Sequence, residues 1–310
     1  MWIYVCIISV ILVVLTLLYI GYIYHYTEKI EEIKQDPYEK LRVFIDENQE
    51  RIENPDPQYI LYDNPEIPMK IFQTWHSKVL PPYMKKCVDK LKEENPEFEY
   101  FLFDDNDCRN FIKEYFDSDI LNAFDYLKPG TYKADLWRYA ILYIYGGIYL
   151  DIKYQSAYGF KFKYFLDKEY FVLERPSSIF WAPDSYGIYN AMMICKPKNP
   201  LLLNAIYKIA ENVTKKVYGY SNLYPTGPGL LGSLYFESFS ENIDKIYGFE
   251  FFFDNRARGI LYQNKLVLQK YPEYLEEQRT SQKTEYYATL WKNRDIYIEN
   301  EKKTGIQSPL

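Results

Sequence analysis

The stretch KADLWRYAILYIYGGIYLDIKY (133–154) constrains the fold more than any other part of the chain. Residues 131–145 are apolar around most of a helical wheel, so they predict a buried helix rather than a surface one. Gly146 and Gly147 end it, because glycine takes the left-handed C-cap conformation freely. IYLDI (148–152) then reads as a short buried strand that delivers one carboxylate, Asp151. A buried helix feeding a buried strand needs further layers around it, which is the logic of an α/β fold.

The rest of the chain repeats that alternation. KIFQTW (70–75), FEYFLFDD (98–105), EYFVLE (169–174), IYNAMMICK (188–196), 248–253 and 295–299 predict strands. Residues 83–94, 106–116, 199–212 and 229–239 predict helices, with Asp105 as an N-cap. The expected organisation is a membrane anchor at 1–25, a helical stalk or linker at 26–60, a catalytic-type domain at 61–300 and a polar tail at 301–310.

The anchor rests on residues 2–24, which carry no charge and span roughly 35 Å as a helix, enough to cross a bilayer. Aromatic residues flank the run, as at membrane interfaces. A cleaved signal peptide fits less well: the run is long, no basic segment precedes it and no A-x-A site follows. Lys29, Lys34, Lys40 and Arg42 follow the span and favour a cytosolic domain. The sequon Asn212-Val213-Thr214 would permit a lumenal one.

Composition excludes some functions. The formal net charge of -6 gives no basic surface for nucleic acid. The 35 tyrosines are read as AT-rich coding rather than as a special role. His25 and His76 are the only histidines, and Cys6, Cys87, Cys108 and Cys195 form no C-x-x-C pair, so a zinc site is not expected. Free core cysteines are preferred to a Cys87–Cys108 disulfide.

The residues able to do chemistry each have a bland reading beside the functional one. Asp151 ends a buried strand, where α/β folds bind ligands, but it can equally pair with Lys153. Asp135 and Arg138 share a helix face, as an ion pair or as sugar and phosphate contacts. Gly227 and Gly229 in TGPGLL (226–231) open a helix and let a ligand approach the backbone, or simply make a turn. Trp75 ends the first strand as a core residue or a stacking surface.

Taken in order, IPMKIFQTWH (67–76), NPEFEYFLFDDNDCRNFI (95–112), KADLWRYAILYIYGGIYLDIKY (133–154), TGPGLL (226–231) and ATLWKNRDIY (288–297) resemble glycosyltransferase family 32, and more distantly the glucosyltransferase domain of large clostridial toxins. The resemblance runs from about Ile67 to Tyr297. It implies a GT-A fold: a Rossmann-like sheet binding a GDP- or UDP-linked sugar, with hexose transfer to a glycan or lipid-linked acceptor and retention at the anomeric carbon. It implies that Asp135, Arg138, Asp151 and Lys153 lie at the catalytic centre, and that Trp75, Asn190, Gly227, Gly229, Thr289 and Trp291 line the substrate site. Asp151 is the implied metal ligand and Mn²⁺ the implied cofactor, with Asn293 as a second ligand if Lys153 points away. The pattern departs from the family at two points: Lys153 stands where the D-x-D motif has its second Asp, and no histidine follows His76, where many relatives place a metal-binding one. Three readings stay open: the Lys153 ammonium replaces part of the metal's charge, Lys153 points away and Asp151 with Asn293 still holds a metal, or activity is lost. Family practice implies a single-pass protein with a lumenal, Golgi-type domain, against the cytosolic lean of the basic residues. The competing functions are a catalytically inactive nucleotide- or sugar-binding protein and a structural membrane protein.

Overall fold

A computed structural model describes Gly21 and residues 65–174, 187–238, 249–254, 257–263, 265–282 and 284–298. The expected anchor (Gly21 apart), stalk and polar tail lie outside these residues. Among the described residues no helix is long and apolar enough to cross a membrane.

The fold is a mixed α/β structure built on one sheet, as the alternation predicts. β1 (Lys70–Thr74) leads through α1 (Pro82–Glu94) to β2 (Glu99–Phe103). Helices α2 (Asp105–Tyr115), α3 (Ser118–Tyr126) and α4 (Gly130–Tyr145) carry the chain to β3 (Gly147–Leu150), and a tight turn gives β4 (Tyr154–Ser156). There follow β5 (Tyr170–Glu174), β6 (Gly187–Cys195), α5 (Pro200–Thr214) and α6 (Pro228–Ser238). The strands β7 (Phe249–Asp254), β8 (Ala257–Tyr262) and β9 (Lys265–Lys270) precede α7 (Tyr274–Ser281) and α8 (Tyr287–Lys292).

The strand order is β2-β1-β3-β6-β5-β7-β8-β9-β4. β2, β1 and β3 run parallel, with Ile71 opposite both Tyr100 and Ile148. β6 joins β3 antiparallel, with Tyr149 opposite Met193. Only the turn 151–153 separates β3 from β4, yet β4 pairs with β9 at the far end of the order. The β7–β9 extension therefore curls back toward the carboxyl end of β3. The chain leaves β1 toward β2 on one side and returns at β3 on the other. That reversal creates a crevice at the carboxyl ends of β1 and β3, the usual ligand position in parallel α/β sheets.

Local chemistry explains these elements. α4 is buried through most of its length, as its unpatterned apolar sequence requires. Gly146 caps it with φ 63°, and Gly147 follows with φ 99°. A Cβ on Gly147 would lie 2.7 Å from Lys70 O, so the second glycine is what lets β3 begin against β1. β6 is buried along its whole length, which makes polar Asn190 at its middle an exception needing partners. α1 has no side-chain cap of its own. Its first amides, Tyr83 N and Met84 N, donate instead to Glu277 of α7 at 2.7 and 2.9 Å.

Some expectations are corrected. The N-cap of α2 is Asp104, not Asp105, and Asp107 returns the bond to form a capping box. Residues 295–298 of the expected strand do not form one; Tyr297 makes a single antiparallel bridge to Leu127. α3, α7, β8 and β9 lack the long periodic pattern that made the other elements readable. Cys87, Cys108 and Cys195 are free and buried, as preferred.

Candidate functional site

Asp151 follows β3 directly, and its amide donates to Ala191 O on β6 at 2.7 Å. The carboxylate is thereby fixed at the carboxyl end of the sheet. Its Oδ1 accepts from the Tyr149 hydroxyl at 2.7 Å and lies 3.3 Å from Arg138 NH1. Its Oδ2 accepts from Lys153 Nζ at 2.6 Å. Lys153 packs its ammonium over the rings of Tyr154 and Tyr189, at 5.2 and 5.4 Å.

A second, deeper carboxylate lies behind. Asp135 Oδ1 accepts from Asn190 Nδ2 at 2.9 Å and stands 3.4 Å from Arg138 NH2. Asp135 Oδ2 accepts from Thr226 Oγ1 at 2.7 Å. Arg138 also donates to Asn190 O at 2.8 Å, and its guanidinium rests 4.5 Å from the Tyr149 ring centre. Asn190 Nδ2 reaches the Tyr139 hydroxyl at 2.7 Å as well. The buried Asn on β6 thus has the partners its position demands.

Arg138 connects the two carboxylates, and the cluster balances two anions with two cations. Its depth is graded: the side chains of Asp135 and Arg138 are 6% exposed, those of Asp151 and Lys153 20% and 16%. Burial pushes the Asp135 carboxyl up, against the opposing pull of Arg138, Thr226 and Asn190. Burial also works against the Asp151 charge, but Lys153 and Arg138 together outweigh it and hold the carboxyl below its ordinary range. Partial burial works against the Lys153 charge too, yet the Asp151 charge keeps its pKa above the usual lysine value.

Of the residues expected at the site, Asp135, Arg138, Asp151, Lys153 and Asn190 come together in this network. Gly227 joins it: a Cβ there would stand 3.1 Å from Asp135 Oδ2, so the bare backbone makes room for a protein carboxylate. Gly229, the second residue of α6, is buried and donates to Leu223 O. Trp75 follows β1 and is half-buried against the cluster that includes Ile152, within the Asp151–Lys153 turn. Its indole nitrogen is buried without a partner, as are both nitrogens of neighbouring His76. Trp291 sits on α8, where its indole N–H donates to Tyr218 O at 2.7 Å and ties the helix to the loop before α6. Thr289 and Asn293 are exposed on α8 and at its C-cap. Sequence reasoning missed Tyr149, Thr226 and Tyr287. Tyr287 lies tilted against Tyr132 of α4, with ring centres 5.9 Å apart, and feels the charges of Lys153 and Asp135. A hydroxyl two residues before Asp151 was the one available signal for Tyr149, since side chains at i and i+2 share a strand face.

The family description "Glycosyltransferase sugar-binding region containing DXD motif" matches residues 81–172, which contain Asp135, Arg138, Asp151 and Lys153. This segment is similar to the sugar-binding region of glycosyltransferases. Similar curated proteins are named glycosyltransferases. Inositol phosphoceramide mannosyltransferase 2 of Schizosaccharomyces pombe is 36% identical over 88 residues, covering 28% of this chain and 25% of its own. Inositol phosphoceramide mannosyltransferase 3 of the same yeast is 30% identical over 174 residues, covering 54% of this chain and 45% of its own. The initiation-specific alpha-1,6-mannosyltransferase of Candida albicans is 29% identical over 92 residues, covering 28% and 24%. The chain thus spans less than half the length of these relatives. The solved structure of PaToxG glycosyltransferase aligns with 66% of this chain and 80% of its own, at 13% identity and TM-score 0.42.

The matched region carries a changed D-x-D. Asp151-Ile152-Lys153 keeps the first carboxylate and replaces the second by an ammonium. Among the described residues no group of three or more His, Cys, Asp or Glu side chains is placed to hold a metal ion.

Proposed function

We propose that this protein is a glycosyltransferase that moves a hexose from a GDP- or UDP-linked sugar to a glycan or lipid-linked acceptor. One observation carries the reading. Within the sugar-binding region, two carboxylates and two cations converge at the carboxyl ends of β1 and β3, with the outer pair partly exposed. In the proposed reaction the bond from the anomeric carbon to the diphosphate oxygen breaks, and the nucleoside diphosphate leaves with the electron pair. A bond forms from that carbon to the acceptor hydroxyl oxygen, whose proton passes to water or to the departing diphosphate.

Arg138 and Lys153 supply preorganised positive charge where negative charge develops on the leaving group. Asp135 and Asn190 suit sugar hydroxyls, and half-buried Trp75 suits the base. The names of the relatives make mannose the first donor sugar to test. A GT-A fold with retention is proposed from the sequence resemblance. Thr289 and Trp291 on α8 are proposed to close over the diphosphate. Residues 2–24 are proposed as a single-pass anchor, with the domain in the lumen of a secretory compartment.

The test is nucleotide release from a panel of GDP- and UDP-sugars by the full chain, beside Asp151→Ala. Release from one donor, lost in the variant, establishes the enzyme and its sugar; proton NMR of the fresh product then gives the anomeric configuration. The second reading is an inactive binding protein, and the closure of Asp151 by Lys153 favours it. Nucleotide binding without release from any donor, with or without candidate acceptors, would select it.

A further inference from the structure

We infer that nucleoside diphosphate binds here without a divalent cation, with the Lys153 ammonium in the cation's place. The inference rests on the glycosyltransferase reading and specifies how that site meets its diphosphate. The D-x-D motif implies a metal, and the donor set present does not fit one. Asp151 Oδ2 is engaged by Lys153 at 2.6 Å, and Oδ1 by the Tyr149 hydroxyl with Arg138 close by. A dication bound at Asp151 would therefore face an ammonium already seated on the same carboxylate and a guanidinium beside it. Nor does a second carboxylate join Asp151 on its open side: Asp135 points inward, with Thr226 and Asn190 on its two oxygens. Asn293, the other expected ligand, is a neutral and exposed side chain.

The charge arithmetic supports the exchange. An aspartate with a bound dication carries one net positive charge, and so does a lysine in the same place. An ammonium has three N–H donors, of which Asp151 takes one. Lysine binds phosphate as a point charge, and its partial exposure here leaves it at the open edge of the cluster. Asp151 and the rings of Tyr154 and Tyr189 hold it, so little side-chain freedom remains to be lost on binding. Asp151 thus serves as the lysine's anchor instead of a metal ligand.

The experiment is isothermal titration of GDP and UDP into the full chain, each in EDTA and in Mn²⁺. Wild type is expected to bind one of them with Kd unchanged within about threefold by EDTA. Lys153→Ala is expected to weaken binding at least tenfold, and Lys153→Arg to keep it in EDTA. Lys153→Asp, which restores D-x-D, should bind only with Mn²⁺. Should Lys153→Ala not fold, the Arg and Asp variants carry the same contrast. Wild-type binding that falls tenfold or more in EDTA would overturn the inference while leaving the glycosyltransferase reading standing. So would metal-free binding that Lys153→Ala leaves intact, or that Lys153→Asp keeps in EDTA. Binding of neither nucleotide under either condition would remove both.

Discussion

Arg138 on α4 stands 3.3 Å from Asp151 at the end of β3, and the same NH1 donates to the Asn190 carbonyl on β6 at 2.8 Å. One guanidinium thereby joins the helix to two neighbouring strands. Replacing it with methionine keeps most of the volume and leaves Asp135 with no cation beside it. Removing one partner of a buried pair costs about 3 kcal/mol. Arg138→Met should lose roughly that amount in urea denaturation and bind no nucleoside diphosphate. Wild-type stability would show that the pair contributes nothing to the fold.

Gly227→Ala tests the packing behind the site. The new Cβ would lie 3.1 Å from Asp135 Oδ2, and the carboxylate would have to shift by a few tenths of an ångström. Misplacements of about 1 Å can reduce rates on the order of a hundredfold, so a smaller shift should lower donor turnover on the order of tenfold. The melting temperature should move little. Full turnover in Gly227→Ala would mean that Asp135 tolerates displacement.

The two carboxylates predict opposite effects of pH on stability. Asp151 has a folded pKa below its unfolded value of about 3.9. Its contribution is present above that value and is lost as the pH falls through the folded pKa. Asp135 has a raised folded pKa, so its ionisation costs stability at neutral pH and acid relieves that cost. Melting curves from pH 6 downward should therefore drop less steeply for Asp151→Asn than for wild type, and more steeply for Asp135→Asn. Parallel curves for all three would refute the assignment.

Glu277 caps a helix far away in sequence. Its carboxylate receives Tyr83 N, Met84 N and the Tyr271 hydroxyl. Glu277→Ala should cost about 2 kcal/mol, because it orphans two helix amides and a buried hydroxyl together. Urea denaturation measures the loss, and amide exchange should localise it to the first turn of α1.

The sequon at Asn212 should remain unglycosylated. Asn212 is buried, and its amide donates to Pro225 O at 2.9 Å. The side chain is built into the junction of α5 with the loop before α6, so the sequon gives no support to a lumenal domain. Secreted from a glycosylating host, the protein should show no mass change after endoglycosidase treatment; a shift of one glycan would contradict the burial.

The sequence by itself determined the local pieces. Apolar periodicity and the glycine pair set α4, its end and β3, because those signals act within a few residues. They also placed Asp151 at a strand end and Asp135 with Arg138 on one helix face. Only the tertiary structure decided what these groups touch. Thr226 meets Asp135 across 91 residues, and Arg138 meets the Asn190 carbonyl across 52. Such pairings depend on sheet order and register, which no local pattern encodes. The same holds for Lys153: the sequence left it either pairing with Asp151 or serving a site. The turn after β3 and the rings of Tyr154 and Tyr189 seat its ammonium on Asp151, where burial makes an unpaired charge too costly to keep.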